Sequence, residues 1–108
     1  TFKKGKVVSE TAGKNLEFLK NMLGVDAGAR FVGEIAIGTN YDIKKFTRNT
    51  LFDEKIGGTC HLALGASIPE SRGKNKSAIH WDMVCDLRQS SEITADGKTI
   101  YRNGKFVV

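Results

Sequence analysis

The sequence predicts an α+β fold: one main helix packed on a mostly antiparallel sheet with a C-terminal hairpin. Three observations carry this. One segment, residues 12–23, places Leu16, Leu19, Met22 and Leu23 at helical spacing. Three short segments, 31–40, 59–65 and 78–88, are apolar and bounded by turn residues. The closing stretch 95–108 holds Asp96-Gly97 and Asn103-Gly104, dipeptides favoured in two-residue hairpin turns.

The elements follow in order. The opening "FKKGKVVSET" reads as a hairpin end or edge strand turning at Gly5. The helix is expected over about 12–23, with Thr11 as N-cap and Gly24 as its stop. Its apolar stripe, with Phe18 at the flank, is core packing. In "FVGEIAIGTN" (31–40) Phe31, Ile35 and Ile37 share one strand face and Val32, Glu34 and Ala36 the other. Residues 41–58 form a polar connection with a short helix near 51–56. "TCHLALG" (59–65) and "AIHWDMVCDLR" (78–88) are the next strands, separated by a Gly-, Ser- and charge-rich loop that holds the single proline. There is no internal repeat, low-complexity tract or linker, so one domain over 1–108 is expected.

Composition narrows the function. The chain is 40% hydrophobic and 27% charged, as in globular proteins and unlike disordered ones. No run of about 18 apolar residues exists to span a membrane, and the start lacks a signal-peptide pattern. The chain also lacks an initiator Met, so the expectation is a start inside a longer polypeptide. Net charge is +5 with pI near 9.4, but the basic residues are scattered and do not interleave with aromatics. A nucleic-acid groove needs clustered charge and stacking rings, so no nucleic-acid partner is expected. Cys60 and Cys85 form no CxxC pair. The expectation is reduced, buried thiols in a cytoplasmic protein.

Polar residues inside the apolar strands raise the chemical question. In a strand, residues two apart share a face, so His80 and Asp82 project together while Trp81 points away. His61 lies in a second apolar strand and Glu34 in a third. These are the chain's two histidines, each with apolar neighbours. A buried carboxylate is costly without a partner. Glu34 and Asp82 therefore need a cation, a hydrogen-bond network or solvent. Imidazole and carboxylate suit Zn²⁺, Co²⁺ or Mn²⁺. An H-x-D pair is equally readable as an ion pair at a sheet edge, and a lone strand histidine as a hydrogen-bonded core residue.

Three blocks in this order, "GEIAIGTN" (33–40), "FTRNTLFDEKIGGTCHLALG" (46–65) and "GKNKSAIHWDMVCDLR" (73–88), resemble the C-terminal part of the thermophilic-type metallo-aminopeptidases, the aminopeptidase T/aminopeptidase S family. The opening "FKKGKVVSETAGKN" and closing "ADGKTIYRNGKFVV" are similar to it as well. The resemblance implies release of N-terminal residues from peptide substrates by two divalent metal ions (Zn, Co or Mn), usually in a homodimer. It implies that Glu34, His61, His80 and Asp82 are metal ligands, with Glu34 acting as ligand or as base. Glu54, in "FDEK", is a weaker candidate, read first as a surface or helix-terminal carboxylate. Two departures accompany the match. A further Glu ligand expected upstream of the "GE" strand is not in this chain. Ile68, in "GASIPES", occupies the position where the family pattern has a tyrosine. The expected function is a metallo-aminopeptidase whose isolated 108-residue portion is inactive. The alternative is a non-catalytic relative that keeps the fold for metal binding or assembly.

Overall fold

The computed structural model describes residues 1–108. The elements run β1 (Phe2–Lys3), β2 (Lys6–Val7), α1 (Leu16–Leu23), β3 (Val32–Ile37), α2 (Thr50–Asp53), β4 (Thr59–Gly65), β5 (His80–Asp86), β6 (Glu92–Ala95), β7 (Lys98–Arg102) and β8 (Lys105–Phe106). One main helix and a predominance of strands make this α+β, as expected. The strands divide into three sheets: β1-β2, β3-β4-β5 and β6-β7-β8. The C-terminal hairpin is thus a three-stranded meander. The chain forms two compact units, residues 1–35 with 62–82 and residues 36–61 with 83–108. Strands β3, β4 and β5 contribute residues to both.

In the first unit β1 and β2 form a hairpin in which Lys3 pairs with Lys6. Lys4 and Gly5 both take positive φ, the type I′ geometry whose twist matches that of the strands. The Val7 N–H donates to Arg30 O at 2.8 Å and the Val32 N–H to Gly5 O at 2.9 Å, which ties this hairpin to β3. Helix α1 starts at Leu16, four residues later than the expected start at residue 12. Asn15 stands at the N-cap with φ 58°, so the helix cannot extend back through it, and Thr11 caps nothing. The C-terminal stop at Gly24 is as expected, its N–H reaching Lys20 O and Asn21 O. Leu23 is buried, Leu16, Leu19 and Met22 are half-buried, and Phe18 meets Trp81 edge-to-face at 5.7 Å. Trp81 therefore points away from the face of its strand neighbours His80 and Asp82.

Asp26 organises the turn after the helix. Its carboxylate accepts the Gly28 and Ala29 N–H groups, each at 2.9 Å, the Ser77 hydroxyl at 2.9 Å and the Ala78 N–H at 2.7 Å. Asn75 completes the tie by donating to Gly28 O and Gly65 O at 2.8 and 2.7 Å. Segment 75–78 is thereby fixed just before β5 begins.

The second unit is built around Ile56, Thr59 and Tyr101, all fully buried. Helix α2 is a single turn, and the Asn49 side chain caps it by accepting the Leu51 N–H. Buried Asp53 closes the preceding loop, accepting from the Thr47 N–H and hydroxyl, both at 2.7 Å, and from the Arg48 N–H at 2.9 Å. Tyr101 stacks edge-to-face on Phe106 at 4.9 Å. Burial pushes its phenol pKa up to about 12, with the Tyr41 hydroxyl adding to the shift. In the β6–β7 turn Asp96 and Gly97 separate the paired Ala95 and Lys98, and in the β7–β8 turn Asn103 and Gly104 separate Arg102 and Lys105. All four turn residues take positive φ, so both expected hairpins are present.

The donors around Asp26 hold its carboxyl below the usual carboxylate range, the Ala78 N–H first and the Ser77 hydroxyl next, against a smaller opposing effect of burial. A carboxyl whose folded pKa is depressed adds stability above its unfolded pKa, about 3.9, and loses it as pH falls through the folded value. The urea midpoint of the chain is expected to drop between about pH 5 and pH 3. Asp26→Asn is expected to be less stable at pH 6 and to show a shallower drop across that window. An unchanged slope in paired urea titrations counts against this role.

Candidate metal centre

Adjacent strands lie about 4.8 Å apart, so β3 and β5, with β4 between them, are separated by roughly 10 Å. Glu34 on β3 and His80 on β5 reach across that gap. His80 Nε2 lies 3.3 Å from Glu34 Oε2 and 3.4 Å from Asp82 Oδ1. One ligand-capable atom from each of the three residues falls within 4.8 Å of the others. Three of the residues singled out from the sequence therefore converge in the first unit. They are less buried than apolar strands suggest: the side chains of His80, Asp82 and Glu34 keep 28%, 20% and 16% exposure. Water reaches the cluster, and the desolvation cost of its charges is correspondingly smaller.

The backbone orients the histidine. His80 Nδ1 lies 2.7 Å from Ala66 O. A carbonyl only accepts, so Nδ1 carries a proton and Nε2 is the nitrogen turned toward the carboxylates. Metal-binding histidines are held this way, with one ring nitrogen anchored and the other presented. The Ala66 carbonyl also raises the His80 pKa, burial opposes it, and the charges of Asp82 and Glu34 raise it further. Gly33 makes the approach possible. A Cβ there would lie 2.4 Å from Ala66 O, inside its van der Waals surface.

These residues fit a divalent cation. The donors are one imidazole nitrogen and two carboxylates, a set suited to Zn²⁺, Co²⁺ or Mn²⁺. Asp82 Oδ1 is a buried oxygen that makes no hydrogen bond.

The other sequence candidates sit elsewhere in the chain. His61, on β4, is buried at 7% exposure and belongs to the second unit. There it lines a cavity of about 410 Å³ with Gly38, Asn40, Phe52 and Glu54. Glu54 is the C-cap residue of α2, the helix-terminal carboxylate its sequence position suggests. Its side chain is 16% exposed, it pairs with Lys55, and it offers an oxygen within 4.8 Å of a His61 ring nitrogen. The short helix α2 carries it there, and the "FDEK" pattern following the Asn49 cap is the sequence signal. Ile68 is half-buried in the first unit, just before the single 3₁₀ turn Pro69–Ser71, and its carbonyl accepts from the Ser71 hydroxyl at 2.8 Å.

The cluster yields a direct test. Isothermal titration of the chain with Zn²⁺ is expected to show binding that His80→Ala abolishes. Gly33→Ala is expected to weaken it about 10–100-fold by displacing the Ala66 carbonyl that anchors the ring. Glu92→Gln, remote from the cluster in sequence and paired with Arg102, serves as control. Equal affinity in wild type and His80→Ala excludes the site.

Residues 1–106 match the family described as thermophilic metalloprotease (M29). The chain is 36% identical to aminopeptidase 2 of Geobacillus stearothermophilus, over 98% of this chain and 30% of that protein. It is 31% identical to aminopeptidase AmpS of Bacillus subtilis, over 98% of the chain and 31% of the relative. It is 32% identical to aminopeptidase T of Thermus thermophilus, over 99% and 31%. The chain thus spans just under a third of the length of these curated relatives. Matched along almost its whole length, it belongs to the thermophilic metalloprotease (M29) family.

Proposed function

We propose that this chain is the ligand-bearing, C-terminal portion of a metal-dependent aminopeptidase that releases N-terminal residues from peptides. The observation that carries the reading is the cluster of Glu34, His80 and Asp82, with the His80 ring anchored on Ala66 O and its Nε2 facing two carboxylates. The names of the relatives, all aminopeptidases, support the substrate class.

In this reading Glu34, His80 and Asp82 hold a divalent ion and His61 is a further ligand. Two ions, Zn²⁺, Co²⁺ or Mn²⁺, complete the centre. When bound, such ions supply Lewis acidity toward a carbonyl and lower the pKa of water. The chain's own residues do the rest. Ala66 O keeps the Nδ1 proton on His80, so Nε2 stays directed at the ion. Glu34 either ligates or accepts a proton through a carboxylate oxygen, and the two roles use the same position. The assembled enzyme is a homodimer acting on cytoplasmic peptides, with no nucleic-acid or membrane partner. In the structure, no helix is long and apolar enough to cross a membrane.

A second reading, a non-catalytic relative that retains metal binding or assembly, is favoured by one residue. Ile68 offers an alkyl group where the resemblance expects a phenol. Losing one donor to a developing oxyanion costs on the order of 10²–10³ in rate.

Metal analysis and hydrolysis of leucine and arginine chromogenic amides by the full-length gene product separate the readings. The expected result is hydrolysis that EDTA removes and added Zn²⁺, Co²⁺ or Mn²⁺ restores. Ile68→Tyr is expected to raise kcat by up to about 100-fold with little change in KM. Tight metal binding without hydrolysis in either form establishes the non-catalytic reading. The isolated 108-residue chain is expected to show no hydrolysis above a metal-free control.

A further inference from the structure

Two thiols lie side by side in the second unit. Strand β4 is hydrogen-bonded to β5, and the Leu87 N–H donates to Gly58 O at 2.8 Å, which puts Leu87 opposite Gly58. Two steps along each antiparallel strand bring Cys60 opposite Cys85. Directly opposed residues point to the same face, and a hydrogen-bonded pair has its Cα atoms about 5.5 Å apart. A disulfide spans Cα separations of roughly 4.4–6.8 Å. Burial raises the pKa of the Cys60 thiol, and the nearby Cys85 side chain raises it further. Both cysteines are free thiols, Cys60 half-buried and Cys85 exposed. The sequence expectation of two buried thiols therefore fails for Cys85, because β5 is an edge strand of its sheet and residue 85 lies open near its end.

We propose that Cys60 and Cys85 are a thiol pair that closes reversibly into a cross-strand disulfide when a small-molecule disulfide oxidant, of the glutathione type, is present. The geometry supplies the three things this needs: opposed positions, a common face and an exposed entry point. Cys85, as the thiolate, attacks one sulfur of the oxidant. The oxidant's S–S bond breaks, one small thiolate leaves, and a mixed disulfide forms on Cys85. Cys60, deprotonated, then attacks the Cys85 sulfur and expels the second small thiolate. The two protein thiols are oxidised, one oxidant disulfide is reduced to two thiols, and the two protons lost by the cysteines go to those thiols. The bond joins β4 to β5 one residue before His61. It is independent of the peptidase reading, because neither sulfur belongs to the proposed ligand set.

The test is equilibration of the full chain in buffers of stepped oxidised-to-reduced glutathione ratio, followed by acid quench, alkylation and peptide mass mapping. The expected result is that both thiols disappear together in a monomer, that one Cys60–Cys85 cross-linked peptide appears, and that dithiothreitol restores both thiols. Cys60→Ser is expected to stop at a stable glutathione adduct on Cys85. In Cys85→Ser the half-buried Cys60 is expected to stay largely unmodified over the same period. Separate glutathione adducts on both wild-type cysteines overturn the proposal. So does a disulfide found only between two copies of the chain, or persistence of both free thiols at the most oxidising ratio. The wild-type mapping stands alone should either variant fail to fold.

Discussion

The hydrogen bond from His80 Nδ1 to Ala66 O fixes which face of the imidazole is available, and the candidate centre depends on it. Its acceptor is set by the backbone alone. Gly65 ends β4 at φ 99°, a conformation that L side chains rarely adopt, and a Cβ there would strike Ile79 O at 2.2 Å. The Ala66 N–H then donates to Ile79 O at 2.7 Å while the Ala66 carbonyl faces His80, the first residue of β5. One short piece of backbone thus aligns β5 and aims its histidine. Asn75 holds the same piece from outside by donating to Gly65 O.

Around that anchor the electrostatics favour a cation. Glu34 and Asp82 flank one His80 nitrogen from two strands, at 3.3 and 3.4 Å. Elsewhere the carboxylates that are held tightly are committed to structure. Asp26 and Asp53 each gather several donors, and Glu10 and Glu92 bind Arg30 and Arg102. The division is physical: carboxylates ringed by N–H groups stabilise turns, whereas Asp82 beside the imidazole keeps a buried Oδ1 that makes no hydrogen bond.

Much of this was legible in the sequence, and the limits have causes. The hairpin turns were readable because their chemistry is local: two residues decide each backbone path. The pairing of His80 with Asp82 was readable because strand parity is strict. The start of α1 was not, because Thr11 is an N-cap candidate by residue type while the backbone turns to the left-handed region at Asn15. The partition into three sheets depends on long-range pairing, which no local pattern encodes. Ile35 illustrates the same limit. Its parity suggests a core face, yet it is 67% exposed, because alternation identifies a face without naming what covers it. The approach of Glu54 to His61 was not readable because it depends on α2, a single turn placed by the Asn49 cap and by the bonds of Asp53 to Thr47 and Arg48.

The three two-residue turns bear on the order in which the chain folds. Hairpins close short loops and form in about 1–10 μs. The β1–β2 hairpin and the β6–β7–β8 meander can each assemble from neighbouring residues alone. The β3–β4–β5 sheet cannot, since 21 residues separate β3 from β4 and 14 separate β4 from β5. Closing those longer loops costs entropy before any pairing repays it. The sheet that carries Glu34, His61, His80 and Asp82 is therefore the late-forming part of the molecule. The residues proposed to meet a metal come together only when contacts across these longer loops have been made.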